Sequence, residues 1–218
     1  AYKSRNLALA TYDRTHNFRF YGVYELPFGP KQRWAKSGIL GTLAGGWQVN
    51  WLLSRLSGTP FSIFGGGAGL NAPGNQQTAD QVGPVRILGG VGPAPVTGAS
   101  VSCAPTDMSC HYFDPTAFAA VPSAQVRFGT SGRNIIRGPG FFNLDASIFR
   151  DFRITERVKL QVRVEMFGAT NTPHYSNPGT DVTNPAAFGV ITSTFSTAGR
   201  GTGTCLLYTS DAADEEDS

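Results

Sequence analysis

Cys103 and Cys110, seven residues apart in a turn-rich stretch, are the two side chains whose type and spacing most invite a reaction with each other. A nearby pair in a Gly- and Pro-rich loop points to a local disulfide and an oxidising compartment. Spacing alone equally admits two free thiols, because bonding geometry is not visible in a sequence. No Cys-x-x-Cys and no Cys/His cluster suggests a metal site. His16, His111 and His174 are isolated from one another in sequence, and a lone loop His is more simply a polar contact. Gly67-Ala68-Gly69-Leu70-Asn71-Ala72 fits the dinucleotide spacing. The phosphate of such a site needs a helix opening at the turn, and Pro73-Gly74-Asn75 starts none, so these are loop glycines. Asp145, Asp151 and Glu165 could be imagined as a glycosidase-like carboxylate pair. On alternating strand positions they are more simply lumen-facing charges. No serine sits in G-x-S-x-G. The chain is therefore expected to be no enzyme and to hold no cofactor. Arg127, Arg133 and Arg137, among Gly129, Gly132, Gly138 and Gly140, could bind an anionic ligand or a lipopolysaccharide phosphate. The plainer reading is a solvated rim that positions the following strand.

The elements that carry these residues are strands. Gly 27 and Pro 14 of 218 residues leave no segment with a helical apolar stripe sustained over three turns. The clearest strand is 158–167, where Leu160, Val162, Val164 and Met166 alternate with Lys159, Gln161, Arg163 and Glu165. Before it Leu144, Ala146 and Ile148 alternate with Asn143, Asp145 and Ser147, up to about Phe152. Residues 153–157 make a tight connection, and a register centred there sets Asp151 opposite Lys159. Upstream, Phe18, Phe20, Gly22, Tyr24 and Leu26 alternate with Arg19, Tyr21, Val23 and Glu25. Trp47, Val49, Trp51 and Leu53 alternate with Gln48, Asn50, Leu52 and Ser54. A last strand is expected from Phe188 to Phe195.

The connections differ greatly in length. Residues 65–140 form one long loop, 26–46 and 169–187 are moderate, and 153–157 is very short. Bacterial barrels have short periplasmic turns and longer extracellular loops. Placing 153–157 in the periplasm puts 65–140 and 169–187 outside, 26–46 in the periplasm, and directs the last strand toward a periplasmic C-terminus.

The segment 205–218 shows neither turn chemistry nor alternation, and Cys205-Leu206-Leu207-Tyr208-Thr209-Ser210-Asp211-Ala212-Ala213-Asp214 matches one reading frame of a transposon-type sequencing adapter. It is read as adapter read-through, with 1–204 as the native part. An acidic disordered tail is the other reading. The segment carries five of the 15 acidic residues, so 1–204 has 10 against 18 Lys plus Arg, a net charge of +8 rather than +3. That excess is scattered with no Lys/Arg run, so no nucleic-acid partner is expected. Lumen and rim positions, or anionic lipid headgroups, account for it as well. No stretch approaches the eighteen apolar residues of a membrane helix, which leaves strand-based spanning open. Ala1 is not a Met start, and the N-terminus is expected to be truncated.

Period-two alternation also suits a soluble sheet. Two features favour a membrane barrel: strands of about ten residues against a usual five or six, and aromatics near strand ends. Tyr24, Phe28, Trp34 and Trp47 lie toward one side, Phe141 and Phe142 toward the other, as interfacial girdles do. The rivals are a secreted β-sandwich binding carbohydrate on a platform of Trp34, Trp47 and Trp51, and a passive porin-like channel.

Several segments resemble a known family. Asp13-Arg14-Thr15-His16-Asn17-Phe18, Tyr24-Glu25-Leu26-Pro27-Phe28-Gly29, Gly45-Gly46-Trp47-Gln48 and Ser57-Gly58-Thr59-Pro60-Phe61 are similar to Oar-like TonB-dependent outer-membrane receptors. So are Gly132-Arg133-Asn134, Arg137-Gly138-Pro139-Gly140, Asn143-Leu144-Asp145, 160–167, and Asn171-Thr172-Pro173-His174-Tyr175. The resemblance covers 13–200 and departs at Gly168, where the family usually has Asn. It implies an all-β, partial antiparallel transmembrane β-barrel: about five strands of about 22, with one long extracellular loop at about 65–140. It implies the bacterial outer membrane as location, and outer-membrane lipid and lipopolysaccharide as surroundings. It further implies an unknown transported ligand and an inner-membrane TonB energy-coupling complex, engaged through a plug and N-terminal box that this chain lacks. Individual ligand-contact residues in 65–140 are unknown.

Overall fold

The computed structural model describes residues 7–29, 34, 45–66, 77–91, 107–155 and 158–194, and the backbone of 205–211. It divides into two units. One comprises Asn17–Arg55, Phe142–Thr172 and Ser196–Ser218; the other Ala1–His16, Leu56–Phe141 and Pro173–Phe195.

The first unit is a sheet. Its strands are β1 (Asn17–Glu25), β2 (Gln48–Leu56), β7 (Phe141–Arg153), β8 (Lys159–Met166) and β9 (Cys205–Asp211), paired in the order β1-β2-β7-β8-β9. Two backbone bonds bracket the β1/β2 pairing as antiparallel: Leu26 N–H to the Trp47 carbonyl and Ser57 N–H to the His16 carbonyl, each 2.9 Å. β7 and β8 pair from Ala146↔Met166 to Arg153↔Lys159. That sets Ala146, Ile148 and Phe152 on one face with Met166, Val164 and Leu160, and Ser147, Asp151 and Arg153 on the other with Glu165, Gln161 and Lys159.

The strands match the sequence expectation closely, but the register does not. Asp151 lies opposite Gln161, not Lys159, and accepts a 2.8 Å bond from its amide. The cause is the turn: Ile154 and Thr155 both donate to the Val158 carbonyl, and the Thr155 hydroxyl accepts from Val158 N–H. This closes the connection later in the chain and slides the pairing by two residues, which preserves the faces.

Neither face of these strands contains a buried residue. Phe18 and Phe20, on the apolar face of β1, are 57% and 52% exposed. A soluble antiparallel sheet covers its apolar face with a core. Among the described residues the buried hydrophobic ones all lie in the other unit: Phe61, Ile63, Ala79, Phe113, Ala117, Phe118, Ile136 and Phe188 form its main cluster.

That second unit is held by two short ladders, β3 (Pro60–Phe61) with β6 (Ile136–Arg137) and β4 (Asp80–Gln81) with β5 (Phe118–Ala119). Phe113 is its centre. Its ring meets Phe188 at 5.2 Å and Phe118 at 5.9 Å, both edge-on, and Phe61 at 6.1 Å. The segment expected as a last strand, 188–195, is a correction. Phe188, Val190 and Ile191 are buried in this unit through isolated bridges, Gly179↔Phe188 and His111↔Val190. Phe188 N–H and Val190 N–H bond back to Asn184 and Ala187, and Gly189 takes φ +76°, so the chain cannot run extended. Phe195 lies outside the described residues.

The fifth strand of the sheet is instead β9, paired to β8 from Met166↔Cys205 to Leu160↔Asp211. Backbone pairing asks only for a free edge and an extended segment, whatever the side chains. The long loop is likewise wider than 65–140, since β3 and Ile63 already belong to the packed unit.

Candidate functional site

Three of the segments singled out from the sequence meet within the second unit. Arg14 donates to the Ser57 carbonyl at 2.7 Å. Arg137 pairs with the Asp13 carboxylate and also donates to the Gly58 carbonyl at 3.1 Å. Gly58 has no room for a side chain, because a Cβ there would lie 1.8 Å from the Gly138 carbonyl oxygen. The stretches 13–16, 57–61 and 137–140 are thus one interlocked joint, and their residue types follow from close backbone approach and the satisfaction of carbonyls.

The arginines considered as anion ligands divide accordingly. Arg127 grips Asp80 with two parallel 2.7 Å bonds. The Asp80 carboxyl is held below its usual value, first by the Arg127 bond and further by Thr130 N–H; burial works in the opposite direction. Arg137 is committed to Asp13 and Gly58. Arg133 is exposed. Positioning, rather than ligand capture, is what Arg127 and Arg137 do.

Cys110 is disulfide-bonded and buried beside Val190. Cys103 lies outside the described residues. Asp107 caps the short turn holding Cys110: its carboxylate accepts from Ser109 N–H and hydroxyl, which lowers its pKa, the hydroxyl most. The Asp107 carbonyl receives His111 Nδ1 at 2.8 Å. Tyr112 donates to the Arg137 carbonyl, and burial raises its hydroxyl pKa. His174 stacks on Phe141 at 4.1 Å, and the His16 backbone exchanges hydrogen bonds with Ser57. Among the described residues no group of His, Cys, Asp or Glu could hold a metal. The glycine motif at 67–72 lies outside the described residues.

The carboxylates sit on the polar face of the sheet in structural roles. Asp145 accepts from Gly168 N–H at 2.9 Å, and Glu165 receives Arg163 at 3.3 Å. Gly168, where the resembled family has Asn, takes φ +61°. Both residue types reach that left-handed region readily, so the departure leaves the turn intact. Asn50, Leu52, Asp145, Ser147, Glu165 and Phe167 take part in lining a shallow, mostly apolar recess.

The tryptophans do not form a platform. Trp51 packs on Phe20 at 5.8 Å and covers Gly22, whose Cβ would meet the indole at 2.5 Å. Trp47 meets Phe152 edge-on at 6.5 Å, and Trp34 meets Phe28 at 6.0 Å. Sequence reasoning missed Phe152 and Arg150, whose guanidinium lies 4.2 Å from the Phe152 ring centroid on the otherwise apolar face. The parity of Arg150 with Ile148 and Phe152 was the available signal.

A family model described as an outer membrane beta barrel domain matches residues 1–201. No curated protein and no solved structure matches the chain.

Proposed function

The chain belongs to the outer membrane β-barrel domain family and resides in the bacterial outer membrane, and from that premise we propose that it is wall and ligand-facing loop of a TonB-dependent receptor of the Oar-like kind. The secreted sandwich falls with the family assignment. The observation that carries the proposal is the contrast between the two ends of the meander. At one end β7 and β8 are joined by 154–158 alone. At the other, by connectivity, the chain leaves β2 and β8 into 56–141 and 173–195, which fold as one packed unit with its own aromatic core. A wall needs no such unit. A receptor that captures a large ligand before admitting it does, because a preformed surface avoids the ordering cost of a loose loop.

On this reading 154–158 is periplasmic and the packed unit extracellular. Capture occurs on the unit, and a plug supplied by other parts of the receptor is displaced through the inner-membrane TonB complex. The face carrying Asp145 and Glu165 lines the lumen. The disulfide of Cys110 is formed with Cys103 and pins the outer loop. The transported ligand is a large substrate of unspecified chemistry.

Planar-bilayer recording on the protein purified from outer membranes tests the reading. A plugged receptor gives no steady conductance until urea loosens the plug, and it binds the periplasmic domain of TonB. Open channels without denaturant and no TonB binding would establish the passive porin instead.

A further inference from the structure

Residues 120–126, Ala-Val-Pro-Ser-Ala-Gln-Val, run between β5 and Arg127 in the packed unit and carry no charge. All but Val121 are exposed, Val126 by 79%. Both feet of this excursion stand on one residue. The Asp80 backbone pairs with Ala119 at the incoming foot. At the outgoing foot its carboxylate accepts two 2.7 Å bonds from Arg127 and one of 3.0 Å from Thr130 N–H. Buried Gln77 adds a 2.6 Å bond to the Arg127 carbonyl. Within the excursion, Gln125 N–H closes on the Pro122 carbonyl at 2.9 Å, and Gln125 Oε1 accepts from Arg127 Nε at 2.7 Å. No side chain of 120–126 is buried, so these bonds, rather than a core, fix its shape. An apolar apex set on a rigid base is the arrangement of a binding loop, not of a connection that only has to reach.

We propose that 120–126 is the contact element of the packed unit for a soluble extracellular polypeptide, with Pro122, Ala124 and Val126 entering an uncharged apolar pocket of that partner. The chemistry of the apex selects the class. Arg127 is the one charged residue in 118–132, and its guanidinium is engaged by Asp80 and Gln125, so an anionic chelate or phosphate meets no open cation there. No aromatic ring lies in 120–126, so a sugar finds nothing flat to stack on. A projecting apolar apex, shaped before contact, suits a concave apolar site on a protein and spares the cost of ordering a loop. The inference rests on the capture role proposed above, with 56–141 outside.

Ser123→Cys in the full receptor on intact cells, labelled with a membrane-impermeant maleimide, tests the contact. The probe is the non-dialysable fraction of the bacterium's spent medium. That fraction slows labelling; proteinase K digestion of it abolishes the protection, and periodate oxidation does not. Val126→Asp raises the amount of fraction needed about tenfold, the factor that one buried Val side chain supplies, while 57–140 keeps its wild-type protease resistance. Protection that survives proteinase K, or that the dialysable fraction gives, means a glycan or a small ligand and overturns the proposal. Absence of protection, or equal protection of the Val126→Asp protein, overturns it too. The bilayer recording separates the two readings. A plugged, TonB-binding receptor with unprotected label removes this contact alone, whereas open channels remove the capture role and the contact that rests on it. Label that reaches Ser123→Cys only after permeabilisation removes the outer placement and the contact with it.

Discussion

Replacing Phe113 by Ala should unfold the packed unit without dismantling the wall. Phe113 has no exposed surface, and all its ring partners, Phe61, Phe118 and Phe188, belong to the same unit. Truncating a buried Phe costs about 3–5 kcal/mol. Edge-on ring pairs add about 0.5–1.5 kcal/mol each beyond area, and Phe113 makes two, so the upper part of that range applies. At about 1.4 kcal/mol per tenfold, opening of the unit rises roughly a thousandfold. Proteolysis of intact outer membranes reads this directly, because cleavage tracks the open population when reclosing is fast. The Phe113→Ala protein should be cut within 57–140 about a thousand times faster than wild type while its barrel keeps heat-modifiable migration. Cleavage within threefold of wild type would show that the aromatic cluster does not hold the unit together, and the argument from a preformed capture surface would go with it.

Gly58→Ala forces a Cβ into the Gly138 carbonyl; overpacking of this kind costs about 1–3 kcal/mol, visible as faster cleavage of the same segment. The Asp80 carboxyl is held below its ordinary 3.8, so its contribution is complete above that value and fades as pH falls through the lower folded one. Protease resistance should therefore decline below about pH 4 in wild type, and Arg127→Ala should lose about 1–3 kcal/mol at neutral pH together with most of that decline. Asp151→Ala, facing Gln161 on an exposed stretch, should change stability by under about 1 kcal/mol, measured by urea unfolding in detergent. Peptide mapping without reductant should recover Cys103 linked to Cys110; recovery of both as free thiols would refute the pinned loop.

The wall was legible because a strand states its faces locally. Leu160, Val162 and Val164 alternate with Gln161, Arg163 and Glu165 whatever the rest of the chain does, and β8 lies where that alternation puts it. The register was less legible, since it depends on how Thr155 and Val158 close the turn. The packed unit was nearly invisible. Its contacts join residues far apart, Asn134 to Leu9 and Arg137 to Asp13, and its strands have two residues each, too few to show a period. Phe188, Val190 and Ile191 mimic a strand in sequence because burial on two sides leaves the same apolar mark as burial on one. Among the arginines, the sequence suggested a solvated rim, and only the structure named the carboxylates that Arg127 and Arg137 pair with.

The aromatic cluster takes Phe61 from before β7 and Phe188 from after β8, and this fixes an order of events. The unit cannot close its core until the chain through residue 188 has been made and released. Contacts of such long sequence separation are slow to form, since loop closure precedes any gain. Completion of the packed unit is therefore a marker of chain release: a chain truncated before residue 188 should display 57–140 as protease-sensitive polypeptide. Pulse-labelled protein should accordingly acquire resistance in that segment only after residue 188 has been synthesised.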